Sequence, residues 1–269
     1  MQHNRILRER VAGQSAMAAV VRAQSSARRP GRLARIFGVS PLTTEARPFY
    51  RGALGELLVG DVLENLGPTW DVLHDLPLDG SIVDHLLIGR AGVFTVRAAN
   101  YGRNDVVIDG HTLSVGGEER DDIACALAEA TDVARLLTAA AGAPVRVRPL
   151  FVVVDPRRLV FKAPAQGLRV ITSNDLERTL AFSARTLTGE EVAHISDLAD
   201  LVSTWPTVNA GPDGASLDTQ KLHRDFGTIR TSVNDALVRR VLWGAAATIV
   251  VYAGVCSVIS TLVTMVVNS

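Results

Sequence analysis

Residues 81–100 read Ser-Ile-Val-Asp-His-Leu-Leu-Ile-Gly-Arg-Ala-Gly-Val-Phe-Thr-Val-Arg-Ala-Ala-Asn. Two short apolar runs, 81–89 and 92–100, flank Arg90-Ala91. Each is too short for a typical helix and rich in branched side chains, so both read as strands. Side chains alternate across a strand, which puts Asp84 on one face with Ile82 and Leu86, turns His85 to the other, and gives Arg97 and Ala99 a common face. A buried carboxylate needs a partner, and Arg97 on the neighbouring strand is the natural one for Asp84.

Working outward, residues 70–76 form a third strand of the same kind. Before it, Leu54, Leu57, Leu58, Val62 and Leu66 make an apolar helical face that ends at Gly67-Pro68. After it, Asp109-Gly110 between 106–108 and 112–115 signals a hairpin. The acidic stretch Glu118-Glu119-Arg120-Asp121-Asp122 reads as the start of an alanine-rich helix that runs to Ala141 and stops at Gly142. Residues 146–155 have the continuous apolar centre of a buried strand, and 168–172 add another. Ser173 or Asn174 can cap a following helix. Val192, Ile195, Leu198, Leu201 and Val202 mark a last amphipathic helix. The whole reads as one α/β domain over 46–205 with no internal repeat.

The flanks differ in character. Residues 241–267 hold no charged side chain. About 20 apolar residues rising ~1.5 Å each cross a hydrocarbon core of about 30 Å, so this run is long enough to span a bilayer. Arg239 and Arg240 precede it and only Asn268 and Ser269 follow, so the chain reads as tail-anchored and single-pass in the cell membrane, with its bulk on the cytoplasmic face. Residues 218–240 form a stalk whose Leu222, Phe226, Ile229, Val233 and Leu237 recur at helical spacing; intramolecular packing is the favoured use of that stripe, and homo-oligomerisation the other. Residues 206–217, with Pro, Asn and Gly, read as a linker. Residues 1–45 read as a basic arm: up to residue 40, Arg5, Arg8, Arg10, Arg22, Arg28, Arg29, Arg32 and Arg35 face the single acid Glu9. Such an arm is solvated, or lies on anionic lipid or phosphate; Arg28, Arg29, Arg32 and Arg35 are the candidate contacts.

Composition adds limits. The 269 residues balance 28 basic against 28 acidic groups, so no global field argues for nucleic acid. Lys162 and Lys221 are the only lysines, a bias expected of a GC-rich, bacterial genome. Cys125 and Cys256 have no metal-ligand spacing and are not expected to pair.

Gly52-Ala53-Leu54-Gly55-Glu56, the run 82–89 and Gly92-Val93-Phe94-Thr95-Val96-Arg97-Ala98-Ala99-Asn100-Tyr101 together resemble the nuclease-related domain family, NERD. The resemblance implies a restriction-endonuclease-like mixed sheet flanked by helices, carrying a metal-dependent phosphodiesterase site. It matches Glu56 to the family's helix glutamate and Asp84 to its strand aspartate, and it places the acid-x-lysine motif on Arg97-Ala98-Ala99. Asn100 and Tyr101 match the positions that shape the following turn.

Phosphodiester cleavage of this type uses a hard cation such as Mg²⁺ held by carboxylates, with a lysine beside the attacking water. Here Arg97 stands for the acid and Ala99 for the lysine. A fixed positive charge about 4 Å from a divalent ion costs about 2 kcal/mol even at water's dielectric, and several-fold more inside a protein. The expected arrangement is therefore an Asp84–Arg97 ion pair in a former metal pocket, with no cofactor. Glu56 either hydrogen-bonds into that pocket or stands exposed. His85 reads as a structural histidine, and the acids at 118–122 as a charged helix start rather than a metal cluster.

Three functions follow. The lead is a membrane-tethered, catalytically degenerate domain that binds or scaffolds, with nucleic acid as a candidate partner. The second is an active Mg²⁺-dependent DNA or RNA phosphodiesterase whose acid and base have migrated, with Arg103 or Lys162 as substitute cations. The third is a structural membrane partner that oligomerises through 218–240.

Overall fold

The computed structural model describes residues 7–25, 31–206 and 219–267, with side chains as far as residue 257. The chain begins with α1 (Gln14–Ser25), the short α2 (Arg32–Ile36) and α3 (Ala46–Glu64). The strands read from sequence follow: β1 (Trp70–Pro77), β2 (Ile82–Gly89) and β3 (Gly92–Asn100), an antiparallel meander. Next come β4 (Asp105–Asp109), β5 (Thr112–Val115), β6 (Glu118–Arg120), α4 (Asp122–Ala141), β7 (Val147–Val154), β8 (Arg158–Ala163) and β9 (Arg169–Thr172). The helices α5 (Leu176–Ala181), α6 (Gly189–Asp200) and α7 (Thr219–Val267) close the chain.

The strands form two mixed sheets rather than one. The larger runs β1-β2-β3-β7-β9, parallel from β3 onward, and the smaller runs β6-β5-β4-β8. Strand β6 corrects the expected helix start: the Gly116-Gly117 turn reverses the chain, so Glu118–Arg120 pairs with Leu113–Val115, and α4 opens only at Asp122. The sequence reading did not anticipate β8, whose apolar run, Leu159-Val160-Phe161, is only three residues long and mostly exposed.

Helices cover both faces of the larger sheet. On one, α4 and α6 pack Val133, Leu137 and Ile195 on Leu73, Leu86, Ile88 and Val93. On the other, α3 sets Val59 and Leu63 against Leu87, Val96 and Val152. Helix α3 is also covered from outside by α1 and α7, where Met17, Val20, Leu222 and Phe226 close over Ala46, Tyr50 and Ala53. That double burial fits the small residues at four of its seven buried positions, Ala46, Ala53, Gly55 and Gly60; Leu58, read as part of the apolar face, is exposed.

The basic arm is thereby corrected over its described part. Met17 and Val20 of α1 are fully buried, Arg8 pairs with Asp71 (2.7 Å) and Asp200 (3.0 Å), and Arg10 pairs with Asp75 (3.0 Å). Asp75 also accepts from the backbone N–H of Ser15 (2.8 Å) and from its hydroxyl (2.9 Å), so it holds the first turn of α1 against β1. Arg8 and Arg10 precede α1, and the acids they meet on the domain fix the segment that leads into the docked helix. Arg5, Arg28 and Arg29 lie outside the described residues, as does the linker from 207 onward. The stalk stripe packs within the chain: Leu222 and Phe226 are buried on α1 and α3, Ile229 and Val233 lie half-buried beside them, and Leu237 is exposed.

Helix α7 spans 49 residues and is long and apolar enough to cross a membrane. From Val241 to Ser257 every side chain is exposed.

Candidate functional cleft

A cleft of ≈690 Å³ opens where the N-terminal half of α3 meets the ends of β2 and β3. It gathers Glu56, Asp84, Arg97 and Ala99, the four positions singled out from sequence, and adds Asp122 from α4. Helix α3 approaches the end of β3 closely because Gly55 has no side chain: a Cβ there would stand 3.1 Å from that of Asn100. That approach carries the next residue, Glu56, over the strand ends.

Arg97 does not pair with Asp84. Its Nη1 donates to Glu129 Oε1 on α4 at 2.5 Å and its Nη2 to Asp122 Oδ1 at 3.4 Å. Asp84 Oδ2 instead accepts the backbone N–H of Ala98 at 2.8 Å. The cause lies in the sheet. The β2–β3 ladder ends at His85 and Val96, so the Ala98 amide lacks a strand partner and the Asp84 side chain supplies one. The longer arginine then reaches past to α4, where Tyr101 Oη also donates to Asp122 Oδ2 at 2.8 Å.

Four carboxyls, Glu56, Asp84, Asp122 and Glu129, thus surround one guanidinium. Burial pushes the Asp84 carboxyl up to about 6 and that of Glu129 up to about 7, with the Arg97 charge opposing both. Burial, reinforced by the charges of Asp84 and Asp75, pushes Glu56 well up. Burial works against the charge of Arg97, but Glu129, Asp84 and Asp122 outweigh it and raise its pKa. The cationic centre of the cleft is the protein's own arginine. The guanidinium draws on the acids of α4, and Ala99, packed beside Phe151 and Val153, supplies no ammonium. Among the described residues no three His, Cys, Asp or Glu side chains come together as a metal-holding group.

The remaining expectations sort by position. Asn100 accepts from the Gly102 amide at 3.0 Å and shapes the turn after β3. His85 is fully buried on the opposite face of the sheet, 2.8 Å from His74 (Nδ1 to Nδ1). Arg103 is exposed beside Asp155 and Lys162 is exposed on β8; neither lines the cleft. Arg32 and Arg35 lie on α2 against α7. Glu129 was missed, although a signal existed: it stands with Ala126, Ala130 and Val133 on the buried side of α4, where an acid must have a partner. Exposed Arg47, Arg51 and Arg120 line the mouth of the cleft and make no ion pair among the described residues.

Residues 51–154 match the family model of the nuclease-related domain. The matched span includes Glu56, Asp84, Arg97, Ala99 and Glu129, and most of the cleft lining. No curated protein and no solved structure matches the chain.

Proposed function

We propose, taking the nuclease-related domain of residues 51–154 as premise, that this protein is a membrane-tethered module that binds nucleic acid in the cleft without cutting it. The observation that carries the reading is the pairing of Arg97 with Glu129 and Asp122, which sets a fixed guanidinium where the family chemistry requires a metal-binding acid. Ala99 removes the lysine as well. What survives is a cleft with Arg47, Arg51 and Arg120 at its mouth, able to neutralise phosphates. Helix α7 supplies the tether: its exposed apolar surface from Val241 to Val255 is stable only out of water. Arg239 and Arg240 at its start favour the cytoplasmic side for the domain.

The test uses the full chain in detergent with single- and double-stranded DNA and RNA. Binding weakens with salt, and replacing Arg47, Arg51 and Arg120 by alanine lowers the salt slope by about one per residue. With Mg²⁺ or Mn²⁺ no strand is cut. Metal-dependent nicking abolished by Asp84→Ala would establish the alternative, an active phosphodiesterase, for which the four carboxyls around the cleft are the supporting observation. Absence of nucleic-acid binding overturns the reading in favour of a structural membrane partner. The double substitution Arg97→Glu with Ala99→Lys tests the logic from the other side, since it gains metal-dependent cleavage if the rest of the site survives.

A further inference from the structure

Helix α2 is held in place without being buried. Its last carbonyls are satisfied from α7: the guanidinium of Arg239 donates to the Arg35 carbonyl (3.0 Å) and the indole of Trp243 to that of Ile36 (2.8 Å). The Phe37 ring tilts against Trp243 with centroids 5.3 Å apart. Gly38 lies so close to the α7 backbone that a side chain would strike the Ala236 carbonyl and the Arg240 amide. A clamp of this kind ordinarily buries the apolar side chains it fixes. Here Leu33 remains 71% exposed, and Ile36, Phe37 and Val39 are about half exposed. They stand at the level of α7 where its stalk gives way to the apolar run, beside Val241, Leu242 and Trp243, which are exposed too. Arg32, Arg35, Arg239 and Arg240 are exposed in the same zone. No acid occurs between Glu9 and Glu45 or after Asp235.

We infer that α2, Phe37 and the Arg239–Trp243 turn of α7 form a seat on an anionic lipid surface, in which Leu33, Ile36, Phe37 and Trp243 enter the headgroup region and the four arginines meet lipid phosphates. The inference rests on the reading of residues 241–267 as a membrane span. Continuity with that span identifies the occupant: apolar and aromatic side chains ringed by arginines, at the end of an apolar helix, match the bilayer interface in depth and in charge. A second anchor next to the span restrains the tilt and rotation that one helix leaves open. It also sets the height of the cleft. From Val39 to Thr44, at the cleft mouth, the chain can extend no more than ~18 Å at ~3.5 Å per residue. The seat therefore holds the cleft close over the membrane surface.

Site-directed spin labelling of the full chain in lipid vesicles tests this. With Cys125→Ser and Cys256→Ser, single labels are placed through Leu33→Cys, Ile36→Cys, Val250→Cys and, at the exposed end of α5, Phe182→Cys. Collision with oxygen, which prefers lipid, is compared with collision with a water-soluble nickel complex. The label at 250 reads as hydrocarbon and that at 182 as water. Labels at 33 and 36 show an oxygen-to-nickel ratio several-fold above that at 182, higher in phosphatidylcholine mixed with phosphatidylglycerol than in phosphatidylcholine alone. Arg32→Gln with Arg35→Gln removes the lipid dependence. If 33 and 36 match 182 while 250 stays in hydrocarbon, the seat is wrong and the span stands. If 250 is also in water, both fall. Shielding of 33 and 36 from both reagents would mean a second copy covers α2, and overturns the lipid assignment.

Discussion

Asp84 and His85 are neighbours on β2, yet they belong to two opposite kinds of polar cluster. On the α4 face, Asp84 stands with Glu56, Asp122 and Glu129 around Arg97, in a cleft whose mouth carries exposed arginines. On the α3 face, His85 is sealed with His74 under Gly60, in a space with no side-chain room left. The tautomers of that pair follow from its partners. If His85 Nδ1–H donates to His74 Nδ1, then His74 Nε2–H can donate to Glu64 at 3.3 Å; the opposite assignment would turn a bare lone pair toward that carboxylate. His85 Nε2 is left buried without a partner. One cluster is open and holds net charge; the other is closed and neutral. A position that must meet a ligand tolerates unspent charge, whereas a core position removes it.

The largest effect expected is at the centre of the open cluster. Arg97→Met leaves Glu129 buried without its cation, and losing one member of such a pair costs about 3 kcal/mol. For a domain of this size that lowers Tm by roughly 2–4 °C per kcal/mol. Adding Glu129→Gln removes the orphaned charge and recovers most of the loss. Circular dichroism melts of the detergent-solubilised chain measure both, and an unchanged Tm in Arg97→Met would refute the pairing as the centre of the cleft.

The contrast between clusters also explains which parts were legible in sequence. The strands from 70 to 100 and from 147 to 154 announce themselves because burial on both faces demands continuous apolar runs. The position of Asp84 in the cleft followed from simple alternation. Its partner did not, because where a ladder ends is a matter of three-dimensional pairing: the freed Ala98 amide, not the nearest opposite charge, decided the bond. The docking of α1 was hidden for a related reason. Arg8 and Arg10, which precede it, look like part of a solvated arm until Asp71, Asp75 and Asp200, distant in sequence, are brought beside them.

A middle-sized effect is expected in the closed cluster. Burial pushes both histidines below their ordinary value, His85 well below it, so the unfolded chain binds protons that the fold excludes. The stability they contribute is present above the unfolded value near 6.5 and is lost as pH falls below it. His85→Leu fills the same apolar space but strands His74 Nδ1, at a cost of about 2 kcal/mol near pH 8. It should also flatten the acid side of the Tm profile between about pH 6.5 and 5. A parallel acid limb in mutant and wild type would show that His85 does not couple folding to protons.

The smallest effect has the opposite sign and separates the clusters most sharply. Asp84 titrates at about 6 in the fold, above the unfolded aspartate near 3.9. Its raised value favours the fold below the unfolded pKa, and that contribution is lost as pH rises through about 6. Asp84→Asn keeps an oxygen to accept the Ala98 amide but cannot ionise. It should therefore stabilise the chain by about 1–2 kcal/mol at pH 8 and by almost nothing at pH 4. Acidification thus relieves the cleft while it strains the histidine pair, and melts of Asp84→Asn and His85→Leu across that range should cross. If Asp84→Asn is instead destabilising at pH 8, the ionised carboxylate is held by more than one amide and a distant guanidinium. A bound cation would then be the first partner to seek, by repeating the melt with Mg²⁺ and with a chelator.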